Sequence, residues 1–218
     1  MVDLKMTIEL WADIVCPFSY IAKRRIDQAI NSFSSPEKIK LIWKSYQLNP
    51  DLKSDATLPY FQHLEQTKGW NSLFVEEVIA TMSKTASESG ITFHLDKAIV
   101  ANSFDAHRLI HLACLKNVEA AVCESLFSAH FCEGKDISSH DLLTEIGVRN
   151  GLIAAEIRET LESDQFAKEV KQDIYEAQLL GSRAVPFVIV NKKYTLSGAQ
   201  GTATFLSAIN LAWQEMQV

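Results

Sequence analysis

Strand-like sequence is confined to the two ends of this chain. Residues 7–15, Thr7-Ile-Glu-Leu-Trp-Ala-Asp-Ile-Val15, begin in alternation and then turn apolar, the pattern of a buried strand. Residues 39–48 alternate again and are rich in β-branched and aromatic side chains. Between them, Cys16-Pro17 opens a segment with Ile21, Ile26, Ala29, Ile30 and Phe33 at helical spacing, which Ser34-Ser35-Pro36 ends. A strand, a helix and a strand in one sheet make a right-handed crossover with parallel strands. Near the other end, residues 185–190 read as a third strand and Asn191-Lys192-Lys193 as a turn. Tyr194–Ser197 forms a fourth strand paired as a hairpin. Gly198-Ala-Gln-Gly201 follows, and Thr202 caps a last helix carrying Phe205, Leu206, Ile209, Leu211, Ala212 and Trp213.

Residues 58–180 show no strand of comparable strength. Helical periodicity recurs near 58–67, 71–89, 103–116, 118–132, 139–149, 154–161 and 164–180. Lys68-Gly69, Gly90, Gly134-Lys-Asp and Asn150-Gly151 break these blocks, and Asp96, Ser103, Ser139 and Ser163 are candidate N-caps. An all-helical block between strands is most simply an insertion. The expected class is therefore α/β: a thioredoxin-like core (β-α-β … β-β-α) with a large all-helical insertion after the second strand. The core comprises 1–57 and 181–218, and the insertion 58–180. Tyr60, Phe61, Trp70 and Phe74 suit an apolar core or the lining of a cleft.

Composition narrows the function. With 218 residues and 47% hydrophobic side chains the chain can bury a core without staples. A net charge of -6 argues against a nucleic-acid partner, which needs a basic footprint. The polar start, Met1-Val-Asp-Leu-Lys-Met6, lacks the basic region and apolar core of a leader, and no apolar run reaches the ~20 residues of a membrane helix. No membrane partner is expected, and the chain reads as cytoplasmic. Its four cysteines, Cys16, Cys114, Cys123 and Cys132, are too few for a disulfide scaffold and are expected to be reduced.

Cys16-Pro17-Phe18-Ser19 carries the strongest chemical signal. Pro17 suits a first helical turn, where its missing N–H has no role. A thiol at a helix N-terminus faces unpaired N–H groups and the positive end of the dipole, and both favour thiolate, the nucleophilic form. In a Cys-x-x-Cys pair the second thiol resolves a mixed disulfide. Ser19 stands in that place and can donate a hydrogen bond to a thiolate but cannot form a disulfide. The pair suggests one-thiol chemistry released by an external thiol such as glutathione. In a thioredoxin-like order, Val185-Pro186 is expected to be cis. The backbone of Val185 would then face the thiol and pair with an extended peptide or with the cysteinyl part of glutathione.

Five blocks carry a resemblance spanning nearly the whole chain in order. They are Trp11–Tyr20 (WADIVCPFSY), Asn102–Arg108 (NSFDAHR), Leu126–Phe131 (LFSAHF) with Asp136-Ile137-Ser138, Gly181–Phe187 (GSRAVPF) and Ser197-Gly-Ala-Gln200. Together they resemble the DsbA-like oxidoreductases of the FrnE branch. That branch is similar in fold to 2-hydroxychromene-2-carboxylate isomerase and kappa-class glutathione transferase. The resemblance implies a dithiol at the positions of Cys16 and Ser19, of which this chain keeps the first. The glutathione-using relatives match Pro17 and Ser19 but carry Ser in place of Cys16. Their glutathione site, carried over, implies Val185 and Pro186 at the cysteinyl backbone. The turn Gly198-Ala199-Gln200 then meets the γ-glutamyl end, although those relatives have an acidic residue where Gln200 stands.

Weaker signals surround this centre. His107, His111 and Cys114 share a helical face at i, i+4 and i+7, a spacing open to a metal but more simply to helix packing, so no metal site is assigned. The insertion covers the thiol in this architecture, so His107 is a candidate for bonding substrate or tuning the thiolate. Asp13 is a candidate proton shuttle or a strand-end cap. Lys23-Arg24-Arg25 reads as a solvated helix face. The leading expectation is a thiol–disulfide oxidoreductase working through Cys16 alone. Its partner would be a disulfide-bearing protein or a small thiol or disulfide, with no permanently bound cofactor. The alternatives are a glutathione-dependent isomerase or transferase and a redox-inactive binding module. An apolar insertion face is compatible with a homodimer.

Overall fold

The computed structural model describes residues 5–217. The chain's first four residues, part of the polar start weighed against a leader, lie outside that range.

Strand β1 (Met6–Ala12) is central, with Met6, Ile8 and Leu10 at 0–1% exposure. It pairs in parallel with β2 (Ile39–Ser45), Met6 opposite Ile39 through Ala12 opposite Ser45. On its other side β5 (Phe187–Val190) pairs antiparallel, and β6 (Tyr194–Ser197) completes the order β2-β1-β5-β6. The β5–β6 turn places Asn191 and Lys192 at φ of 50° and 58° and closes with Lys193 N–H donating to Val190 C=O over 3.0 Å. Two consecutive residues with positive φ in the three-residue loop Asn191-Lys192-Lys193 match the right-handed twist of the strands that they join.

Strand alternation sends successive side chains to opposite faces. Ile8, Leu10, Val188 and Val190 join the main core under α1 (Pro17–Asn31) and α9 (Thr202–Met216). Phe33 meets Trp213 there edge-on, with ring centroids 5.6 Å apart. Trp11, Phe187 and Ile189 face the other way, onto Ala177 of α8 (Ala167–Leu179). Asp173 fastens that helix to the sheet. Its carbonyl accepts from Trp11 Nε1 (2.9 Å), and its carboxylate accepts from Ser45 N–H (2.9 Å) and Lys44 Nζ (2.9 Å).

Between the core halves run α2 (Tyr60–Lys68), α3 (Ser72–Ser87), α4 (Phe104–Leu115), α5 (Glu119–Phe131), α6 (His140–Arg149) and α7 (Ala154–Glu162). They match the helical blocks read from periodicity. A single hydrophobic cluster runs from Ile8 and Leu10 through Tyr20 and Trp43 to Phe127, Leu109 and Ile146, so sheet and helices share one core.

Four expectations need correction. Residues 58–180 are not wholly strandless: β4 (Ile99–Val100) pairs antiparallel with β3 (Asp55–Pro59). Two residues are too few to show alternation, and Asp and Pro are depleted in strands. Among the expected caps, Ser139 accepts from Leu142 N–H (3.4 Å), but Asp96 starts no helix. Ser103 holds the N-cap position without a side-chain bond, and Ser163 ends α7 rather than opening α8. Gly201, not Thr202, is the N-cap of α9, and Thr202 Oγ1 instead donates to Gln28 Oε1 (2.9 Å). Finally, Lys23-Arg24-Arg25 is not a solvated face. Lys23 is 5% exposed and bonds Asp27 (2.8 Å) and Glu124 (2.9 Å), while Arg24 pairs with the same Glu124. Arg25 Nη1 donates to the Ala199 carbonyl (2.8 Å). Helix α1 is covered on two sides, by α9 and by α5, and this leaves its basic stripe little solvent.

Candidate active site

Cys16 is the N-cap residue of α1, where Pro17 begins the helix. Its backbone N–H donates to Asp13 C=O (3.0 Å), and its own carbonyl accepts from Ser19 N–H (3.0 Å). This tight turn brings the sulfur beneath the start of β5. The Val185–Pro186 bond is cis, and the Cys16 thiol donates to the Val185 carbonyl over 3.6 Å.

The thiol is not lowered as the helix terminus alone suggests. Burial is the largest influence and pushes it up from its ordinary value. The Ser19 hydroxyl and the N–H groups of Ser19 and Phe18 pull it down, the Asp13 carboxylate adds to the upward push, and burial wins. A sulfur on a residue 5% exposed loses more hydration than three hydrogen bonds restore.

Asp13 is fully buried. One carboxylate oxygen accepts from Val15 N–H (3.3 Å) and the other from Leu48 N–H (2.7 Å). It therefore ties the β1–α1 turn to the end of β2. Ser19, also at 0% exposure, accepts from Asp13 N–H over 3.4 Å. His107 stands behind this carboxylate, Nε2 to Oδ1 3.4 Å.

Above Cys16 opens a cleft of about 470 Å³ between core and helices. Cys16, Pro17 and Phe18 form one wall, Leu48 and Leu52 another, and Tyr60, Leu64, Trp70, Val78 and Met82 the insertion side. Of the four aromatic residues weighed for such a cleft, Tyr60 and Trp70 line it. The Tyr60 hydroxyl is pushed up by burial and by the charge of Cys16.

Ala199 and Gln200 lie outside the cleft, in the β6–α9 turn. Arg25 holds both their carbonyls (2.8 and 3.4 Å), and Gly198 N–H donates to Pro186 C=O (2.9 Å), linking that turn to the cis-proline segment. The i, i+4, i+7 face of α4 is dispersed. His111 goes to Ser45 Oγ (3.2 Å) and Asp173 (3.2 Å), Cys114 is exposed, and among the described residues no three His, Cys, Asp or Glu groups converge on a metal position.

The sequence sets His130 only beside Cys123 and Cys132, as a metal-ligand spacing, and gives it no place at the thiol. His130 of α5 lines the cleft, is 1% exposed, and has no partner at either ring nitrogen among the described residues. Burial lowers it to about 4, with Asp13 and Asp136 opposing, so it is neutral at pH 7. The signal was its place in Leu126-Phe-Ser-Ala-His-Phe131. Its neighbours Leu126, Phe127, Ala129 and Phe131 are all buried, and His130 is buried with them.

The family model of the DSBA-like thioredoxin domain matches residues 7–210. A probable DsbA oxidoreductase from Streptomyces coelicolor is 29% identical, with a TM-score of 0.91 over 96% of this chain and 91% of its own. A 2-hydroxychromene-2-carboxylate isomerase superposes at TM-score 0.73 with 15% identity over 97% and 98% of the two chains. The cytosolic disulfide reductase DsbM from Pseudomonas aeruginosa, solved with GSH, does so at 0.62 with 18% identity over 97% and 98%.

Proposed function

The chain belongs to the DSBA-like thioredoxin domain family, and from that premise we propose that it is a thiol–disulfide oxidoreductase acting through Cys16 alone. The observation that carries this reading is the contact of the Cys16 sulfur with the Val185 carbonyl beside the cis proline, with Ser19 rather than a second thiol on the helix turn below. The other three cysteines are free.

The Cys16 thiolate attacks one sulfur of a disulfide. A Cys16–sulfur bond forms, the substrate S–S bond breaks, and the departing sulfur leaves as thiolate. A second thiolate, from glutathione or another small thiol, then attacks the substrate sulfur of the mixed disulfide: a bond between the small thiol and that sulfur forms, the Cys16–sulfur bond breaks, and Cys16 leaves as thiolate. Overall the small thiol is oxidised into the new disulfide and the first departing sulfur is reduced to thiolate, so no resident cofactor is required. The backbone of Val185 and Pro186 steers the incoming sulfur, with Ala199 and Gln200 on the adjoining turn, and Phe18 is 39% exposed beside the thiol. Because burial holds Cys16 protonated, exchange accelerates as pH rises.

Among the described residues no helix is long and apolar enough to cross a membrane. A reducing cytoplasm, the compartment named for the DsbM neighbour, suits a protein that relies on an external thiol.

The burial and raised pKa of Cys16 favour a second reading, a binding module whose thiol is inert. A glutathione-coupled assay with hydroxyethyl disulfide separates the readings. Native protein is expected to turn over and Cys16→Ser to be inactive. Full activity in Cys16→Ser would point to activation of the glutathione thiol itself, as in an isomerase or transferase. Silence in both would favour the binding module.

A further inference from the structure

The cleft over Cys16 contains one buried polar side chain that the protein leaves unsatisfied. His130 sits at 1% exposure with both ring nitrogens unpartnered among the described residues. A buried polar group without a partner costs ~1–3 kcal/mol, and native cores rarely keep one without reason. The cleft is lined mainly by apolar side chains, Val15, Leu64, Val78, Met82 and Val100 among them, with Asp13, Asn49, His63, Thr67, Lys68 and Ser103 as further polar lining. A cleft of about 470 Å³ with mostly apolar walls and a few polar groups has the form of a small-molecule site.

We propose that this cleft binds a small, largely apolar molecule through one neutral hydrogen-bonding group seated on His130, and that this molecule carries the sulfur with which Cys16 exchanges. The second half rests on the thiol-exchange reading above.

The chemistry of the group follows from the neighbours of His130. A neutral imidazole offers a donor at one ring nitrogen and an acceptor at the other, and a hydroxyl or thiol, itself both donor and acceptor, can pair with whichever nitrogen it reaches. The Asp13 carboxylate lines the same cleft, and its charge reaches His130. An anionic group there would face that carboxylate in a poorly hydrated space. The basic side chains His63 and Lys68 line the cleft from α2, and Lys68 is exposed. A peptide chain fits less well. The backbone of Val185, the natural pairing partner of an extended peptide, is not part of the cleft lining.

The test uses the full chain and two naphthalene probes. Calorimetric titration with 1-naphthol is expected to show one site on the native protein and on Cys16→Ala alike. His130→Phe should weaken binding about tenfold, the value of one hydrogen bond of ~1.4 kcal/mol. Val78→Trp, at a half-buried position of α3, should abolish it, and Met82→Phe, read only if its melting curve matches native, should weaken it. Anionic 1-naphthoate should bind about tenfold more weakly than 1-naphthol. No binding to native protein, equal affinity in Val78→Trp, or a preference for naphthoate would overturn the proposal.

In parallel, mixed-disulfide formation at Cys16 is timed with di(2-naphthyl) disulfide and with oxidised glutathione. Val78→Trp should slow the naphthyl reagent at least tenfold more than it slows the glutathione reagent. Equal naphthyl rates in native and Val78→Trp would overturn the link between cleft and thiol. Naphthol binding with no adduct from either disulfide would sink the thiol-exchange reading and leave the cleft as a binding site.

Discussion

The two flanks of Cys16 are built from different materials. On one side the sulfur meets mostly backbone, the Val185 carbonyl at 3.6 Å and the N–H groups of Phe18 and Ser19 in the first turn of α1, together with the Ser19 hydroxyl. On the side of the helices it meets side chains, most of them apolar, with His130 buried among them. Backbone groups are delivered by the fold whatever the side chains, so the first flank can serve any sulfur brought to it. Side chains are particular to this chain, so the second flank selects what is brought. Reactivity and selectivity are thereby separated across one atom.

The separation can be broken outright at the sulfur. Cys16→Ala is expected to lose all covalent exchange and to keep ligand binding in the cleft, checked by adduct mass and calorimetry. Loss of both would mean that the two flanks are not independent.

Next in size is Asp13, which serves both sides. Asp13→Ala leaves the Val15 and Leu48 N–H groups without their acceptor. Both bonds are part-buried, so at the lower end of ~1–3 kcal/mol for each donor a loss of about 2–3 kcal/mol is expected in denaturant unfolding. A change under about 0.5 kcal/mol, the scale of a surface substitution, would show that the turn does not depend on this carboxylate.

The apolar flank has its own pH signature. His130 is lowered from 6.5 to about 4 in the folded protein. A depressed histidine stabilises the fold above its unfolded value near 6.5, and the contribution is lost as pH falls through 4. It amounts to about 3 kcal/mol at ~1.4 kcal/mol per pH unit. Unfolding free energy should fall between pH 6.5 and 4, and His130→Phe should flatten that fall. An unchanged profile in the variant would place the acid sensitivity elsewhere.

The backbone flank is sharpened by the smallest change. Ser19→Ala removes a hydroxyl that favours the thiolate and should slow adduct formation at pH 7 about tenfold, the worth of one charge-assisted hydrogen bond. In native protein the rate should rise with pH without a plateau below 9, since burial raises the thiol from its usual value of 9.0.

The same division decided what could be read in advance. The strand–Cys-Pro–helix junction and the hairpin are local patterns, each legible in its own few residues, whereas the cis Val185-Pro186 bond followed from the thioredoxin-like order of elements and not from the dipeptide. The helices of the insertion followed from apolar periodicity. Their packing did not. Lys23 looks like any surface lysine until Glu124, from a helix far along the chain, lies 2.9 Å away. His107 and His130 have similar apolar contexts, and the sequence pointed to His107 alone as a candidate beside the thiol. Only the tertiary arrangement turns His107 to Asp13 and leaves His130 facing the cleft. The thiol was misjudged for the same reason. The helix terminus is a local feature that lowers it, whereas burial, a global one, raises it further.

Intact-mass spectrometry after exposure to oxidised glutathione bears most directly on Cys16 as the single exchanging thiol. Native protein should gain one glutathione, at Cys16 alone, faster at pH 9 than at pH 7 and reversed by reduced glutathione, while Cys16→Ala gains none. An unmodified native protein, or an adduct that persists in Cys16→Ala, would contradict it.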